Sequence, residues 1–167
     1  MLVLGLTSLV YPVTSAFAKT NGFRAPPTLD GLAYARAGNP DEMQATRWLA
    51  DNAPDGAVIV ESTGGQYSEY GRISARTGIP TLLGWAGHER QWRGTDRDFQ
   101  GRDREIDTIY SSSDPASIKA VLQERKVTFV FVGQLERAKY GEGATARLAS
   151  LMDVAFRKGG TTVFKVR

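Results

Sequence analysis

The run Val127-Thr128-Phe129-Val130-Phe131-Val132-Gly133 constrains the fold more than any other stretch of the chain. It is apolar and β-branched almost throughout, and a glycine ends it. A strand of this kind has no polar face to give to water, so both of its faces must be covered. Ala57-Val58-Ile59-Val60-Glu61 has the same character. Around these two runs the sequence alternates between strand and helix signals. Asn39 caps, and Pro40 opens, a helix over 41–52, with Met43, Thr46 and 48–50 on its apolar side. Further helices are expected over 67–77, over 104–110, over 115–125 and over 145–152. The first of these ends at Gly78 ahead of Pro80; the third has Asp114 as cap and Pro115 at its first position. Further strands are expected at 81–83 and in a terminal hairpin, 154–157 with 161–166, closed by Lys158-Gly159-Gly160. Segments 84–101 and 134–140 read as loops, the first with a helical turn at 88–92. The pattern predicts an α/β fold of three layers: a mainly parallel sheet of about five strands, helices on both faces, and a C-terminal antiparallel hairpin.

Residues 41–167 make up the soluble α/β domain, and 167 residues suffice for a full core. Ahead of it, 19–40 reads as a linker punctuated by Pro26-Pro27 and Asn39-Pro40, with a short helical turn at 29–35. Residues 1–18, MLVLGLTSLVYPVTSAFA, carry no charge. As a helix they would extend roughly 27 Å, the short limit for crossing a bilayer. Three readings compete. A signal peptide would fit Ala16-Phe17-Ala18 but has no basic n-region. A buried soluble helix would be broken or kinked by Pro12. The expectation carried forward is the end of a transmembrane helix or apolar anchor, with Lys19 and Arg24 marking the exit from lipid. The partner it implies is a membrane. Net charge is only +3 and no basic run occurs, which argues against a nucleic-acid partner.

The residues with most chemical character fall within 64–93. This stretch holds the single His, His88, two of the three Trp, Trp85 and Trp92, and Tyr67 and Tyr70. It adds Arg72, Arg76, Arg90, Arg93, Glu69 and Glu89. It begins just past the strand at 57–61, at the carboxyl end where α/β sheets gather ligands. Catalytic patterns are incomplete. His88-Glu89 is not the first half of HExxH, because residue 92 is Trp. One His and no Cys leave only carboxylates as further ligands, so zinc is not expected; a calcium or magnesium site stays open, but no D-x-D-x-D-G loop is present and no metal ligand is assigned. No Ser has a G-x-S-x-G context, and Ser62-Thr63-Gly64-Gly65 lacks the Lys of a P-loop. No cofactor is expected and no catalytic residue is assigned. A pair formed by Glu89 with Asp96 or Asp98 would serve a hydrolase only if the loop brought them together. Sugar or polyol binding is better supplied. Trp85 and Trp92 offer flat faces for stacking, while Tyr67, Tyr70, Glu89 and Gln91 offer hydrogen bonds. In the structural alternative the Trp rings plug the core and Arg72, Arg90 and Arg93 pair with Glu61, Glu69 and Glu89.

Two segments, Tyr67-Ser68-x-Tyr70-Gly71-Arg72-Ile73-Ser74-Ala75-x-Thr77-Gly78-x-Pro80-Thr81 and Leu83-Gly84-Trp85-x-x-His88-Glu89-x-Gln91-Trp92-Arg93, resemble the carboxyl-terminal part of the YYY-domain membrane proteins. Pro27-Thr28-Leu29-Asp30-Gly31, Ile109-Tyr110 and the segment 129–140, with Gly133, Glu136 and Tyr140, extend the resemblance over most of the chain. The family is polytopic, which implies transmembrane helices ahead of this segment. In layout it is similar to membrane glycosyltransferases of the C-type superfamily, which use lipid-linked sugars. Their catalytic carboxylate lies in an early external loop, to which no position here corresponds. The resemblance therefore implies an extracytoplasmic domain of a multi-pass, glycosyltransferase-like membrane protein, not catalytic by itself. It would bind a glycan or lipid-linked sugar, as substrate or acceptor, through Tyr67, Tyr70, Arg72, Trp85, His88, Glu89, Gln91, Trp92 and Arg93. A domain that docks on the membrane portion or a partner subunit is the alternative, and a stand-alone hydrolase built on His88 and Glu89 a further one.

Overall fold

The computed structural model describes residues 2–24 and 28–167; Met1 and the expected break at Pro26-Pro27 lie outside them. Two units are distinguished, Met1–Gly38 and Asn39–Arg167. In the first, helix α1 (Leu2–Lys19) continues across Pro12 rather than breaking there. Two residues on, the Thr14 hydroxyl donates to the carbonyls of Val10 at 2.7 Å and Tyr11 at 3.2 Å, which gives acceptors near the proline a partner. Leu9, Val10, Tyr11, Val13 and Phe17 all stand exposed. Among the described residues, no helix is long and apolar enough to cross a membrane. Gly22, at φ +67°, turns the chain after α1 and donates its N–H to Phe17 at 2.8 Å. A short helix α2 (Ala33–Gly38) follows.

The second unit is built on four strands: β1 (Ile59–Val60), β2 (Phe129–Val132), β3 (Asp153–Lys158) and β4 (Thr161–Lys165), in the spatial order β1-β2-β4-β3. β1 and β2 are parallel, in register at Ile59 with Phe129 and Val60 with Val130. The other two pairings are antiparallel, so the sheet is mixed, not mainly parallel. It also has four strands rather than five. The run 81–83 contributes one parallel bridge, Thr81 with Ile59, supported by the Ile59 N–H on the Pro80 carbonyl at 2.9 Å. Pro80 has no N–H to offer a ladder, which is one reason the pairing stops there.

Side chains alternate across this sheet, as strand geometry requires. Val60, Val130, Val132 and Phe164 enter one core with Ile106, Ile109 and Tyr110 of α6 (Arg102–Ser111), Ile118 and Leu122 of α7 (Pro115–Glu124), and Leu148 of α9 (Gly143–Leu151). Ile59, Phe129, Phe131 and Val163 enter the other with Ala45 and Leu49 of α3 (Pro40–Asn52) and Ile73 of α4 (Arg72–Thr77). All four residues of β2 are buried, which accounts for the unbroken apolar run. The caps fall on the expected residues: Asn39 accepts from Glu42, and Asp114 accepts from Ala116 and Ser117. The Tyr110 hydroxyl lies 2.6 Å from the Phe131 carbonyl and 3.1 Å from that of Val60. Burial, then the charge of Glu136, push its pKa up, so it remains a donor.

Three local expectations change. The helix at 67–77 starts only at Arg72, because Tyr67 (φ +54°) and Gly71 (φ +83°) take left-handed conformations that no α-helix accommodates. The loop at 84–101 contains a true helix, α5 (Ala86–Arg93), closed by Gly94 at φ +70°. The loop at 134–140 is also a helix, α8 (Gln134–Tyr140). Its start is fixed by Glu136, whose carboxylate reaches back to the Gly133 N–H at 2.8 Å.

Candidate functional site

β1 and β2 part at their carboxyl ends, and four charged residues meet there. Arg72, the first residue of α4, is buried at 6% exposure. Its guanidinium grips Glu42 of α3 in two places, Nε to Oε1 at 2.8 Å and Nη2 to Oε2 at 2.7 Å. The same fork reaches Glu136 of α8 at 3.0 Å and 3.3 Å, while Glu61 lies 3.9 Å away. Arg76, one turn on, adds a bond to Glu42 at 3.3 Å and one to Glu69 at 2.8 Å. Ser62 donates to Glu136 through both its N–H, at 3.0 Å, and its hydroxyl, at 2.7 Å. Gly133 has no room for a side chain here: a Cβ would stand 2.7 Å from the Phe131 ring and 2.8 Å from Glu42 Oε2.

Glu61 serves a different purpose. Gly71 has no side chain with which to cap α4. The Glu61 carboxylate takes that place, accepting the N–H of Ile73 at 3.0 Å and of Ser74 at 2.8 Å. Burial pushes its pKa up to about 7, against the pull of those two amides and of Arg72. Burial acts on Glu136 in the same sense. There, however, the Arg72 charge, its hydrogen bonds and those of Ser62 hold the carboxyl below its ordinary value. Arg72 is held above its own ordinary value: burial opposes the charge, but Glu42 and Glu136 outweigh it.

In front of this cluster the chain builds an aromatic face. Tyr67 is 76% exposed. Its ring centroid lies 5.4 Å from that of Trp85 and 4.7 Å from that of His88, edge-on to the latter. Trp85 and His88 meet edge-on at 5.2 Å. Trp85 is half-buried and its indole N–H donates to the Tyr70 carbonyl at 2.6 Å. Two glycines make the packing this close. A Cβ on Gly64 would fall inside the Tyr70 ring, and one on Gly87 would fall on the Gln66 amide. His88 Nε2 is buried and has no hydrogen-bond partner among the described residues. Trp92 lies one turn beyond His88 on α5 and is 82% exposed.

The predicted site residues thus divide. Tyr67, Trp85 and His88 come together; Tyr70 backs them through its carbonyl. Gln91, Trp92 and Arg93 are exposed on α5. Glu89 is half-buried and engaged: Oε1 accepts the Gly84 N–H at 3.1 Å and Oε2 pairs with Arg93 at 3.4 Å. Arg72 lies behind the face with its fork taken up by carboxylates. Of the pairs expected in the structural alternative, Arg72 meets Glu61 at 3.9 Å but is held more closely by Glu42 and Glu136, and Arg93 meets Glu89; the pairing of Arg90 is corrected, since Arg90 takes Asp96 at 2.9 Å and Glu69 goes to Arg76. Asp98 stands 3.8 Å from Arg93, so Glu89 and Asp98 share that guanidinium rather than forming a bare carboxylate pair. Glu42, Ser62 and Glu136 were not legible as partners. Glu42 sits on the apolar face of its helix with Ala45, Thr46 and Leu49, and a charge in that position was the available signal.

The fold and its face describe a mixed α/β domain with a buried charge cluster at the ends of its parallel strands and an aromatic surface over it. No family model matches the chain, and no curated protein matches it in sequence. Among solved structures it is similar to the C-terminal globular domain of an oligosaccharyltransferase from Archaeoglobus fulgidus. The identity is 12%, the match covers 75% of this chain and 95% of that one, and the TM-score is 0.48.

Proposed function

We propose that the chain is a recognition domain that binds a glycan or lipid-linked sugar, as substrate or acceptor, on the face formed by 64–93. The observation that carries this reading is the group of Tyr67, Trp85 and His88, continued by the exposed Trp92. Rings of this kind offer apolar area to the flat face of a sugar while their polar atoms orient it. Tyr67 is held outward by a backbone conformation that costs an aromatic residue of order 1 kcal/mol, and such strain concentrates at binding surfaces. The setting, an extracytoplasmic domain of a multi-pass, glycosyltransferase-like membrane protein, rests on the resemblance of the 67–93 motif. The exposed apolar side chains of α1 add support for contact with lipid. Within this reading the catalytic residues belong to another part of the parent protein.

The test is saturation-transfer NMR between the full chain and free oligosaccharides of mannose and of N-acetylglucosamine. Transfer should occur with at least one of them and be lost in Tyr67→Ala and Trp92→Ala. Both side chains are exposed, so the thermal transition of these variants should stay within about 2 °C of the parent, a change of roughly 0.5 kcal/mol. Absence of transfer from every sugar overturns the reading. A second reading is favoured by Trp92 itself, which stands exposed on α5, a helix that also carries the exposed Arg90 and Arg93. Trp and Arg are the residues that dominate protein interfaces. Here the face docks on the membrane portion or a partner subunit, and photo-crosslinks placed at Gln91 should trap protein in membranes rather than sugar. A hydrolase built on His88 and Glu89 is not favoured, because both Glu89 oxygens are committed to Gly84 and Arg93.

A further inference from the structure

The cluster behind the aromatic face is out of charge balance. Glu42, Glu61 and Glu136 are buried at 4%, 0% and 0% exposure, and face the guanidiniums of Arg72 and Arg76. Arg76 is shared with Glu69 at the surface. Buried charge of one sign in excess is relieved by taking up a proton. The carboxylate with the weakest counter-charge takes it first. Arg72 approaches Glu42 to 2.7 Å and Glu136 to 3.0 Å but Glu61 only to 3.9 Å. The other groups that face Glu61 are Glu136 of α8 and the buried phenol of Tyr110 on α6, neither of which favours a further negative charge.

What Glu61 holds makes its proton consequential. Both oxygens accept amides from the first turn of α4, and a carboxylate accepts more strongly than a carboxylic acid. That turn follows directly on the segment 67–71, which carries Tyr67 and Tyr70. The Tyr70 carbonyl in turn holds the Trp85 indole at 2.6 Å. We propose that Glu61 is a proton-controlled latch for the aromatic face: ionised, its two amide bonds fix the start of α4 and with it Tyr67 and Tyr70 against Trp85; protonated, it stays buried but holds those amides more weakly, and that turn loosens. The value of about 7 to which burial pushes this carboxyl places the change near neutral pH. The latch supplies regulation to the recognition face proposed above and rests on that reading for its purpose, but its test needs no ligand.

The full chain, labelled with nitrogen-15, is titrated from pH 8.5 to 5.5 by NMR. The Ile73 and Ser74 amide protons, bonded to a carboxylate at high pH, should move upfield as the pH falls, and the Trp85 indole proton should move with the same midpoint near 7. Glu61→Gln should abolish all three movements. Flat Ile73 and Ser74 amides would overturn the proposal, since Glu61 then does not titrate. Movement of those amides with a flat Trp85 indole would overturn it too, because nothing then reaches the face. A Trp85 titration that survives Glu61→Gln but vanishes in His88→Gln would assign the effect to the imidazole and sink the latch. If Glu61→Gln fails to fold, the carbon-13 shift of the Glu61 carboxyl in the parent chain decides which group titrates. A chain that titrates as expected yet binds no sugar overturns the recognition reading and leaves the latch standing.

Discussion

Arg72 ties three elements of the second unit together, α3, α4 and α8. Glu42 and Glu136, both buried, meet on its one guanidinium, so its removal strands two carboxylates away from water. Arg72→Ala should cost about 3–5 kcal/mol in urea unfolding, and Arg72→Lys should recover only part, because an ammonium cannot make the bidentate grip on Glu42. Glu61 gives a second prediction, with a definite sign. Its folded value, about 7, lies above the ordinary 4.5. Against global unfolding, which returns the carboxyl to water, the stability it contributes is therefore full below about pH 4.5 and is lost as the pH rises to about 7; the latch has the other sign because there the carboxyl stays buried and only its amide bonds weaken. The distance between these two values corresponds to about 3 kcal/mol. Relative to Glu61→Gln, the parent chain should lose about that much between pH 4.5 and 8 in urea unfolding. Glu136 acts in the opposite sense: its contribution is present above its ordinary value and is lost as the pH falls through its lowered one. It leaves the window above pH 4.5 clear. At this scale the sequence was a partial guide. The aromatic residues of the face stand out by rarity, and they do assemble. The Arg–Glu partners do not, because Arg72 finds Glu42 and Glu136 from thirty positions before it and sixty-four after, and no spacing rule reaches so far.

Among the elements, those with punctuation at both ends were legible and those fixed from a distance were not. α3 and α7 begin at residues that cap themselves, Asn39 and Asp114, each followed by proline. α8 begins at a glycine, and its cap comes from within, from Glu136 folding back on Gly133. α4 begins at a glycine as well, and its cap comes from Glu61, ten positions before Gly71 in the chain. Neither start has the Ser, Thr, Asp or Asn that announces a helix. The strand expected at 81–83 has the right apolar content but makes a single bridge, Thr81 with Ile59, next to Pro80, which has no N–H to extend the ladder. Gly133 joins these elements. A side chain at this position must displace the Phe131 ring or the bond between Arg72 and Glu42. Gly133→Ala should destabilise the second unit by about 1–3 kcal/mol, with the loss visible as a lowered midpoint in thermal unfolding. Gly87→Ala makes a contrast, since the Gln66 amide it meets is exposed and can swing away; its cost should be well under that of Gly133→Ala.

For the molecule as a whole, the two units make separate predictions. Asn39–Arg167 contains both cores and the whole sheet, so this fragment alone should unfold in one cooperative thermal transition. The full chain, carrying the exposed Leu9, Val10, Val13 and Phe17, should float with phosphatidylcholine vesicles, and the fragment should stay in the aqueous phase. Equal partition of the two would remove α1 as the lipid-contacting element. The alternation of strand and helix that sequence shows survives in the structure, with helices packed against both faces of the sheet. What it could not show was where the parallel pair would end. A ladder left to itself goes on adding rungs while both strands stay extended. Here it ends after Val60 and Val130, and the Tyr110 hydroxyl, from α6, sits against the carbonyls of both strands where they separate. It works as the stop on a zipper. Beyond it one open side carries Glu61 and Ser62, the other Gly133 and Glu136, and Arg72 reaches in between. A phenol from one core thus holds open the gap that an arginine over the other core fills, and any change to either hydroxyl or guanidinium should be felt by both.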